Sequence, residues 1–157
     1  SKNKMIHYYY GYGKGKTCSA VGAAMRAYGA GMSVLFVQFF KNDQSSELSA
    51  LPFEVYPSPH NLGFNPGDEY KVWVDGALHY IKNSSADVVV LDEFSDLIPK
   101  FLTVDGMKKV LSSDREYIIT GHNKVSELYD LADYATFFQK EKLPYDSGVA
   151  ARRGIEY

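Results

Sequence analysis

A short segment near the amino terminus, GYGKGKT at residues 11–17, carries the residue types that bind polyphosphate. Its three glycines stand at alternate positions and can turn the backbone tightly with the N–H groups facing inward. A helix that begins directly after such a turn adds partial positive charge, which favours an anion. Lys16 would then contact phosphate oxygens, and the hydroxyl of Thr17 would bind Mg²⁺ together with phosphate. The segment predicts a nucleotide site, and a glycine-rich turn with solvated lysines is the alternative.

The glycines of this segment are displaced by one position from the usual phosphate-binding pattern. That pattern has a glycine five residues before the Gly-Lys pair, and Tyr10 stands there in this chain. Three residues separate Gly11 from Gly15, whereas the usual pattern has four, so the loop is one residue shorter. The sequence therefore leaves open the order in which the phosphates are held.

A pair of carboxylates follows the most apolar segment of the chain, VVVLDE at residues 88–93. The apolar run is continuous, which is typical of a central strand buried on both faces. Asp92 and Glu93 end this strand and would complete the coordination of Mg²⁺, directly or through water. For the pair alone, simple solvation at a strand end is the alternative. Together with the glycine-rich segment, the pair predicts a site for a metal and a nucleotide.

The two motifs must be positioned by alternating strands and helices. Short apolar runs alternate with helical patterns along the chain, which indicates a parallel sheet covered by helices on both faces. We expect strands near residues 5–10, 33–40, 53–56, 87–92, 117–120 and 134–138, and helices near residues 17–28, 69–83, 105–111 and 124–131. The polar or proline-rich segments 41–52 and 57–67 are expected to be surface loops at strand ends.

The composition is that of one globular domain. The chain has 157 residues, of which 45% are hydrophobic and 23% charged, and it can bury one sizeable core. Its 17 basic and 19 acidic residues give a net charge of −2 without a basic run, which argues against nucleic acid as a partner. Since no apolar stretch reaches membrane-spanning length and no secretory signal is recognised, we expect a soluble cytoplasmic protein without a membrane partner.

Histidine and cysteine usage gives no sign of a metal centre or a disulfide. The four histidines lack metal-ligand spacing, and a single cysteine cannot form an internal disulfide. His122 follows a predicted strand. The sequence leaves open whether it belongs to a structural turn or lies near the nucleotide.

Several further segments are similar to those of one enzyme family. GYGKGKT resembles GNGKGKT, with Tyr12 in place of Asn, and MRAYGAGMSVLFVQFFK resembles LRAxGHGxxVxxVQFxKG. IITGHN is similar to TGRN, ELYDLADYAT to ELxxLADxVT, and the C-terminal LPYDSGVAARRGIEY to HPFDAGxxAxxGIEF. In this order, over essentially the whole chain, these motifs resemble the cob(I)yrinic acid a,c-diamide adenosyltransferase family, the P-loop type of ATP:corrinoid adenosyltransferases. The resemblance implies one P-loop NTPase-like (RecA-like) α/β domain over residues 1–157, with a mostly parallel sheet and helices on both faces.

The resemblance implies a reaction in which corrinoid Co(I) attacks C5′ of ATP and expels intact triphosphate. The family's loop binds ATP in a reversed orientation, because the ribose carbon must be presented to the acceptor. The implied catalytic residues are Lys14, Lys16 and Glu93, and the implied Mg²⁺ ligands are Thr17, Asp92 and Glu93. The implied ATP-binding residues are Gly11, Tyr12, Gly13, Lys14, Gly15, Lys16, Thr17 and Cys18. The family has a small hydroxyl residue at the position of Cys18, so we expect a structural thiol there and not a reactive one.

The same resemblance places the corrinoid against residues 63–65. The family's loop reads GFTW and packs apolar and aromatic side chains on the lower face of the corrinoid, which removes an axial ligand and makes Co(II) easier to reduce. Gly63 and Phe64 match this loop, whereas Asn65 and Pro66 replace Thr and Trp. Trp73 lies in the next predicted helix, where a core role is expected. The resemblance also implies a homodimer and a flavodoxin-like or other reductase as partners.

Two other functions remain open on the sequence. A nucleoside kinase of the thymidine kinase type also combines a glycine-rich loop with an LDE strand, but such kinases usually carry a four-cysteine zinc lobe. The second alternative is a non-catalytic module that binds ATP and stores or delivers a corrinoid. It stays open because the sequence of the loop at Phe64 departs from that of the family. Released triphosphate would indicate adenosylation, ADP a kinase, and no turnover a carrier.

Overall fold

Six parallel strands form one sheet in this computed structural model, which describes residues 3–41, 46–59 and 67–157. In chain order the strands are β1 (Ile6–Gly11), β2 (Val34–Gln38), β3 (Glu54–Val55), β4 (Val88–Asp92), β5 (Glu116–Thr120) and β6 (Tyr134–Phe138). Their order in the sheet is β3-β2-β4-β5-β1-β6, and every neighbouring pair is parallel. The carboxyl ends of the strands therefore meet at one edge of the sheet, and the predicted α/β architecture is confirmed.

Helices cover both faces of this sheet. Within the described residues they are α1 (Lys16–Gly29), α2 (Asp68–Asn83), α3 (Val104–Val110) and α4 (Ser126–Leu131). α1 buries Ala20 and Ala24 on one face, where small side chains let the helix approach the strands closely. The other three helices bury Val74, Met107 and Leu128 in the core on the opposite face. No helix in the described ranges has both the length and the apolar character required to cross a membrane.

Strand β4 is buried along its whole length. Val89 and Leu91 belong to the core on one face, and Val88 and Val90 belong to the core on the other. This two-sided burial explains the continuous apolar run and confirms the prediction made for it. Asp92, at the end of the strand, is carried into the interior with no exposed surface.

Within the described residues, the structure differs from the sequence-based expectation in three short 3₁₀ helices. Ser46–Ala50 lies in a region expected to be an irregular loop, Phe94–Leu97 directly follows Glu93, and Pro144–Ser147 lies in the C-terminal tail. Helices of one turn bury too few side chains to leave a hydrophobic period in the sequence. The second of them matters for the site, because it carries Asp96 to the end of β5.

Candidate active site

The glycine loop, defined as residues 11–17, joins the end of β1 to the start of α1. Gly11 and Gly15 have φ values of 111° and 113°, in the left-handed region that residues with a side chain rarely adopt. A Cβ atom on Gly11 or Gly13 would collide with the backbone of Phe138 at the end of β6. The N–H of Gly13 donates to the carbonyl oxygen of Phe138 at 2.8 Å. Glycine is therefore required here because the loop lies directly against the end of β6.

The two lysines of the glycine loop differ in their surroundings. The Nζ atom of Lys16 donates to the carbonyl oxygen of Gly13 at 2.9 Å, so this side chain folds back onto the loop. Burial lowers the pKa of Lys16, and the carboxylate of Glu93 opposes that change. Lys14 is exposed to solvent. The side chain of Lys16 therefore lies against the glycine loop, whereas that of Lys14 is at the surface.

Thr17 connects the glycine loop to the end of β4. Its hydroxyl lies 3.0 and 3.1 Å from the two carboxylate oxygens of Asp92. Asp92 also accepts hydrogen bonds from the Thr120 hydroxyl at 2.7 Å and from the side-chain amide of Gln38 at 2.9 Å. These donors compensate for the loss of water around a fully buried carboxylate. The structure thus brings together two motifs that lie 75 positions apart in the chain.

Glu93 is the more accessible of the two carboxylates, with 17% of its side chain exposed against 0% for Asp92. Its φ of 59° turns the chain sharply away from β4, and its N–H donates to the Thr120 hydroxyl at 2.8 Å. Burial raises the pKa of Glu93, and the ammonium group of Lys41 opposes that change. The Nζ atom of Lys41 lies 3.7 Å from Glu93 Oε1 and 3.9 Å from Asp92 Oδ2. One ammonium group therefore stands beside both carboxylates.

The oxygen atoms of this site fit Mg²⁺ in combination with phosphate and water. The described residues contain no group of three or more His, Cys, Asp or Glu side chains that could hold a metal alone. Mg²⁺ is usually held by one or two carboxylates together with substrate phosphates and water, and Thr17, Asp92 and Glu93 match that donor set. The Oε1 atom of Gln38 is buried without a hydrogen-bond partner in the described structure, so one further oxygen acceptor lies in this cluster.

The end of β5 lies against the glycine loop. A Cβ atom on Gly121 would overlap the hydroxyl of Ser95, so only glycine fits between β5 and the 3₁₀ helix after β4. The carbonyl oxygen of His122 accepts the N–H of Gly11 at 2.8 Å. Asp96 accepts the backbone N–H of His122 at 2.9 Å and lies 2.6 Å from its ring Nδ1. His122 therefore lies in the bend that follows β5, beside the glycine loop.

The other predicted ligand-binding residues lie at the surface or outside the described residues. Cys18 is exposed and free. Tyr12 is 60% exposed, and its hydroxyl donates to the side chain of Asn123 at 2.9 Å. The predicted corrinoid-binding residues lie outside the part of the chain that the structure describes; they are Gly63, Phe64 and Asn65.

Trp73 packs against the core, as the sequence predicted. Its ring stacks on Tyr70 with 5.5 Å between the ring centroids, and it meets Phe39 edge-on at 5.7 Å. Its Nε1 atom donates to the carbonyl oxygen of Pro57 at 3.1 Å. Trp73 therefore holds α2 against the segments that directly follow β2 and β3.

Sequence reasoning did not single out four residues of this cluster, namely Gln38, Lys41, Asp96 and Thr120. Gln38 is a polar residue at the end of the apolar strand VLFVQ, and Lys41 follows it closely, so a strand-end signal was available for both. Asp96 lies on a short 3₁₀ helix that has no sequence signature.

Comparison with known sequences finds relatives along the whole chain. Residues 2–157 match the family described as ATP:corrinoid adenosyltransferase BtuR/CobO/CobP. The corrinoid adenosyltransferase of Escherichia coli (strain K12) is 30% identical over 162 residues, which cover 94% of this chain and 82% of the relative. The corrinoid adenosyltransferase CobA of Salmonella typhimurium (strain LT2) shows the same 30% identity over 94% of this chain and 82% of its own. A corrinoid adenosyltransferase of Sinorhizobium sp. is 25% identical over 94% of this chain and 77% of its own. These names favour neither the kinase nor the carrier.

Proposed function

The chain belongs to the ATP:corrinoid adenosyltransferase BtuR/CobO/CobP family, and from this premise we propose that it transfers the 5′-deoxyadenosyl group of ATP to Co(I) of a corrinoid. The structural observation that carries the proposal is the 3.0 Å contact between the Thr17 hydroxyl and Asp92. It joins a loop suited to phosphate to a strand end suited to a metal, which are the two parts that a metal-bound triphosphate requires.

The reaction is a nucleophilic substitution at carbon. A lone pair of Co(I) forms the bond to C5′, the bond between C5′ and the triphosphate oxygen breaks, and its electron pair leaves with the triphosphate. The cobalt is formally oxidised to Co(III), and C5′ exchanges no proton. Since the corrinoid substrate supplies the nucleophile, the protein binds and orients both substrates and stabilises the charge that develops on the leaving group.

Positive charge beside the triphosphate is the main contribution that we propose for the protein. Lys16 would turn from the carbonyl oxygen of Gly13 to a phosphate oxygen, and Lys14 would reach the triphosphate from the surface. Thr17 and Glu93 would hold Mg²⁺, with Asp92 orienting the Thr17 hydroxyl or contributing through water. Mg²⁺ would neutralise part of the leaving-group charge. ATP would lie along residues 11–18.

The short glycine loop is proposed to hold the triphosphate in the reverse of the usual direction. A kinase must aim the γ phosphate at its acceptor, whereas this reaction must present the ribose carbon. The missing residue between Gly11 and Gly15, and the packing of the loop against Phe138, support a phosphate order that differs from the usual one.

The corrinoid side of the proposal rests on the family resemblance. Gly63, Phe64 and Asn65 would contact the corrinoid, with Phe64 on its lower face. A flavodoxin-like or other reductase would supply the electron that converts Co(II) to Co(I). We further propose a single adenosyltransferase domain over residues 1–157 that acts as a homodimer in the cytoplasm, without nucleic acid or membrane as a partner.

An absorbance assay with ATP, Mg²⁺ and chemically reduced cobalamin tests this function. The wild-type protein should convert Co(I) to the adenosylated product. Lys16→Ala and Glu93→Ala should each lower the rate about 100-fold or more, because phosphate and metal contacts are lost. Lys109→Ala, which changes an exposed lysine on α3, should keep the wild-type rate. Wild-type rates in both site variants would refute the site, and no product from the wild type would refute the function.

A further inference from the structure

A histidine–carboxylate pair stands beside the glycine loop and has no part in the reaction as described so far. One carboxylate, that of Asp96, holds His122 at two points: Oδ1 accepts the backbone N–H at 2.9 Å, and Oδ2 lies 2.6 Å from the ring Nδ1. Two contacts to one carboxylate fix both the backbone and the plane of the imidazole. Gly121 supports this arrangement, because no side chain fits between it and Ser95.

The pair is fastened to the loop itself. The carbonyl oxygen of His122 accepts the N–H of Gly11 at 2.8 Å. The ring of Tyr12 lies against the imidazole with 5.1 Å between centroids, and the Tyr12 hydroxyl donates to Asn123 at 2.9 Å. The imidazole therefore keeps a fixed position relative to the turn that is proposed to bind triphosphate.

One ring nitrogen is left for a ligand. Nδ1 is engaged by Asp96, whereas Nε2 has no hydrogen-bond partner among the described residues, and 36% of the side chain is exposed. The hydrogen bond to Asp96 raises the pKa of His122, and burial opposes that change. Glu93 also favours the protonated ring, whereas Lys16 disfavours it. The phenol ring of Tyr12 also lies against the imidazole.

We propose that His122 is a further triphosphate-binding group, in which the imidazolium held by Asp96 donates its Nε2–H to a phosphate oxygen. The inference rests on the proposed function, because it needs a triphosphate in the glycine loop. A protonated imidazole gives a charge-assisted hydrogen bond to phosphate, whereas a neutral ring with Nδ1 protonated offers no donor at Nε2. Binding should therefore weaken as the pH rises through the pKa of His122, in contrast to binding by Lys or Arg.

Calorimetric titration with ATP and Mg²⁺ tests this inference at about pH 6 and about pH 9, on either side of the histidine range. The variants are His122→Gln, His122→Arg and Asp96→Asn, each checked for an unchanged melting temperature. Since ATP itself titrates in this range, each variant is compared with the wild type at the same pH. Wild type should bind about tenfold more tightly than His122→Gln at the lower pH, and nearly equally at the higher pH.

Two further variants separate a binding role from a structural one. His122→Arg should restore tight binding at both pH values, because its charge does not titrate. Asp96→Asn should move the loss of affinity to lower pH. A ratio of wild-type to His122→Gln affinity that stays constant between the two pH values would overturn the inference and leave the proposed function standing. Absence of ATP binding by the wild type at both pH values would overturn the proposed function as well.

Discussion

The hydroxyl of Thr17 lies within hydrogen-bond distance of both carboxylate oxygens of Asp92, at 3.0 and 3.1 Å, and ties the first turn of α1 to the end of β4. This contact places the residue proposed to face the metal next to a carboxylate that is fully buried. Because Asp92 is also fixed by Thr120 and Gln38, the position of the Thr17 hydroxyl is set by three elements of the sheet.

Replacing Thr17 with Val removes the hydroxyl and keeps the shape of the side chain. Thr17→Val should weaken binding of ATP with Mg²⁺ about tenfold or more, since a hydrogen bond to a charged group and a metal ligand are both lost. Thr17→Ser keeps the hydroxyl and is the matched control. Calorimetric titration of both variants checks this, and equal affinity of Thr17→Val and the wild type would contradict the assigned role.

Asp92→Asn should destabilise the fold by about 3 kcal/mol. The carboxylate accepts from Thr17, Thr120 and Gln38, and an amide would turn a donor toward one of these donors in a fully buried position. Asp75→Asn is the control, because Asp75 is exposed and pairs with Lys71 one helical turn away; this change should cost about 0.5 kcal/mol or less. Denaturant unfolding measures both, and a cost for Asp92→Asn as small as that of the control would contradict the network.

Glu93→Gln should stabilise the fold while it abolishes most of the activity. Since burial raises the pKa of Glu93 in the folded protein, ionisation of this carboxyl opposes folding. The variant should therefore gain about 1 kcal/mol over the wild type near neutral pH. This gain should vanish as the pH falls below the ordinary glutamate pKa of about 4.3, where the carboxyl is protonated in both states.

Thermal unfolding as a function of pH measures the effect of Glu93→Gln, with Glu141→Gln as an exposed control that should change stability little. A Glu93→Gln protein that is less stable than the wild type at neutral pH would show that the carboxylate is stabilised by its surroundings, against this account.

Lys41→Met should let the site bind a divalent cation more tightly when no nucleotide is present. The Lys41 ammonium lies 3.7 Å from Glu93 and 3.9 Å from Asp92. It therefore fills space beside the two carboxylates and neutralises negative charge that would attract a metal ion. Removing it should raise the affinity for Mn²⁺, used as a probe for Mg²⁺, about tenfold. Electron paramagnetic resonance counts the free Mn²⁺, and Lys71→Met is the matched control on α2. Equal Mn²⁺ affinity of Lys41→Met and the wild type would contradict this reading of the ion pairs.

Phe64→Ala should impair the reaction mainly when it starts from Co(II) with a protein reductase. The reason is that the proposed role of Phe64 is to displace the axial ligand before reduction, which chemically supplied Co(I) no longer requires. The measurement is the ratio of rates in the two assays. Equal loss in both would show that Phe64 does not act in ligand displacement.

The fold could be predicted because its signals are local. The period of apolar residues placed α1 at residues 17–28, and the structure has it at Lys16–Gly29. The glycine loop and Asp92 could also be predicted to meet, because both follow strands of one parallel sheet. The sequence shows that Gln38 ends a strand and that Lys41 follows it, but their place beside Asp92 depends on β2 pairing with β4, in which Gln38 lies opposite Asp92. Strand order is a property of the assembled sheet, and no local pattern encodes it.

Phosphorus NMR of the reaction products tests the central claim most directly. The protein is incubated with ATP, Mg²⁺ and a chemically reduced corrinoid, and the phosphorus-containing products are identified while the corrinoid is followed by absorbance. The account predicts intact triphosphate in an amount equal to the adenosylated corrinoid. Formation of ADP, or consumption of ATP without adenosylated corrinoid, would contradict it.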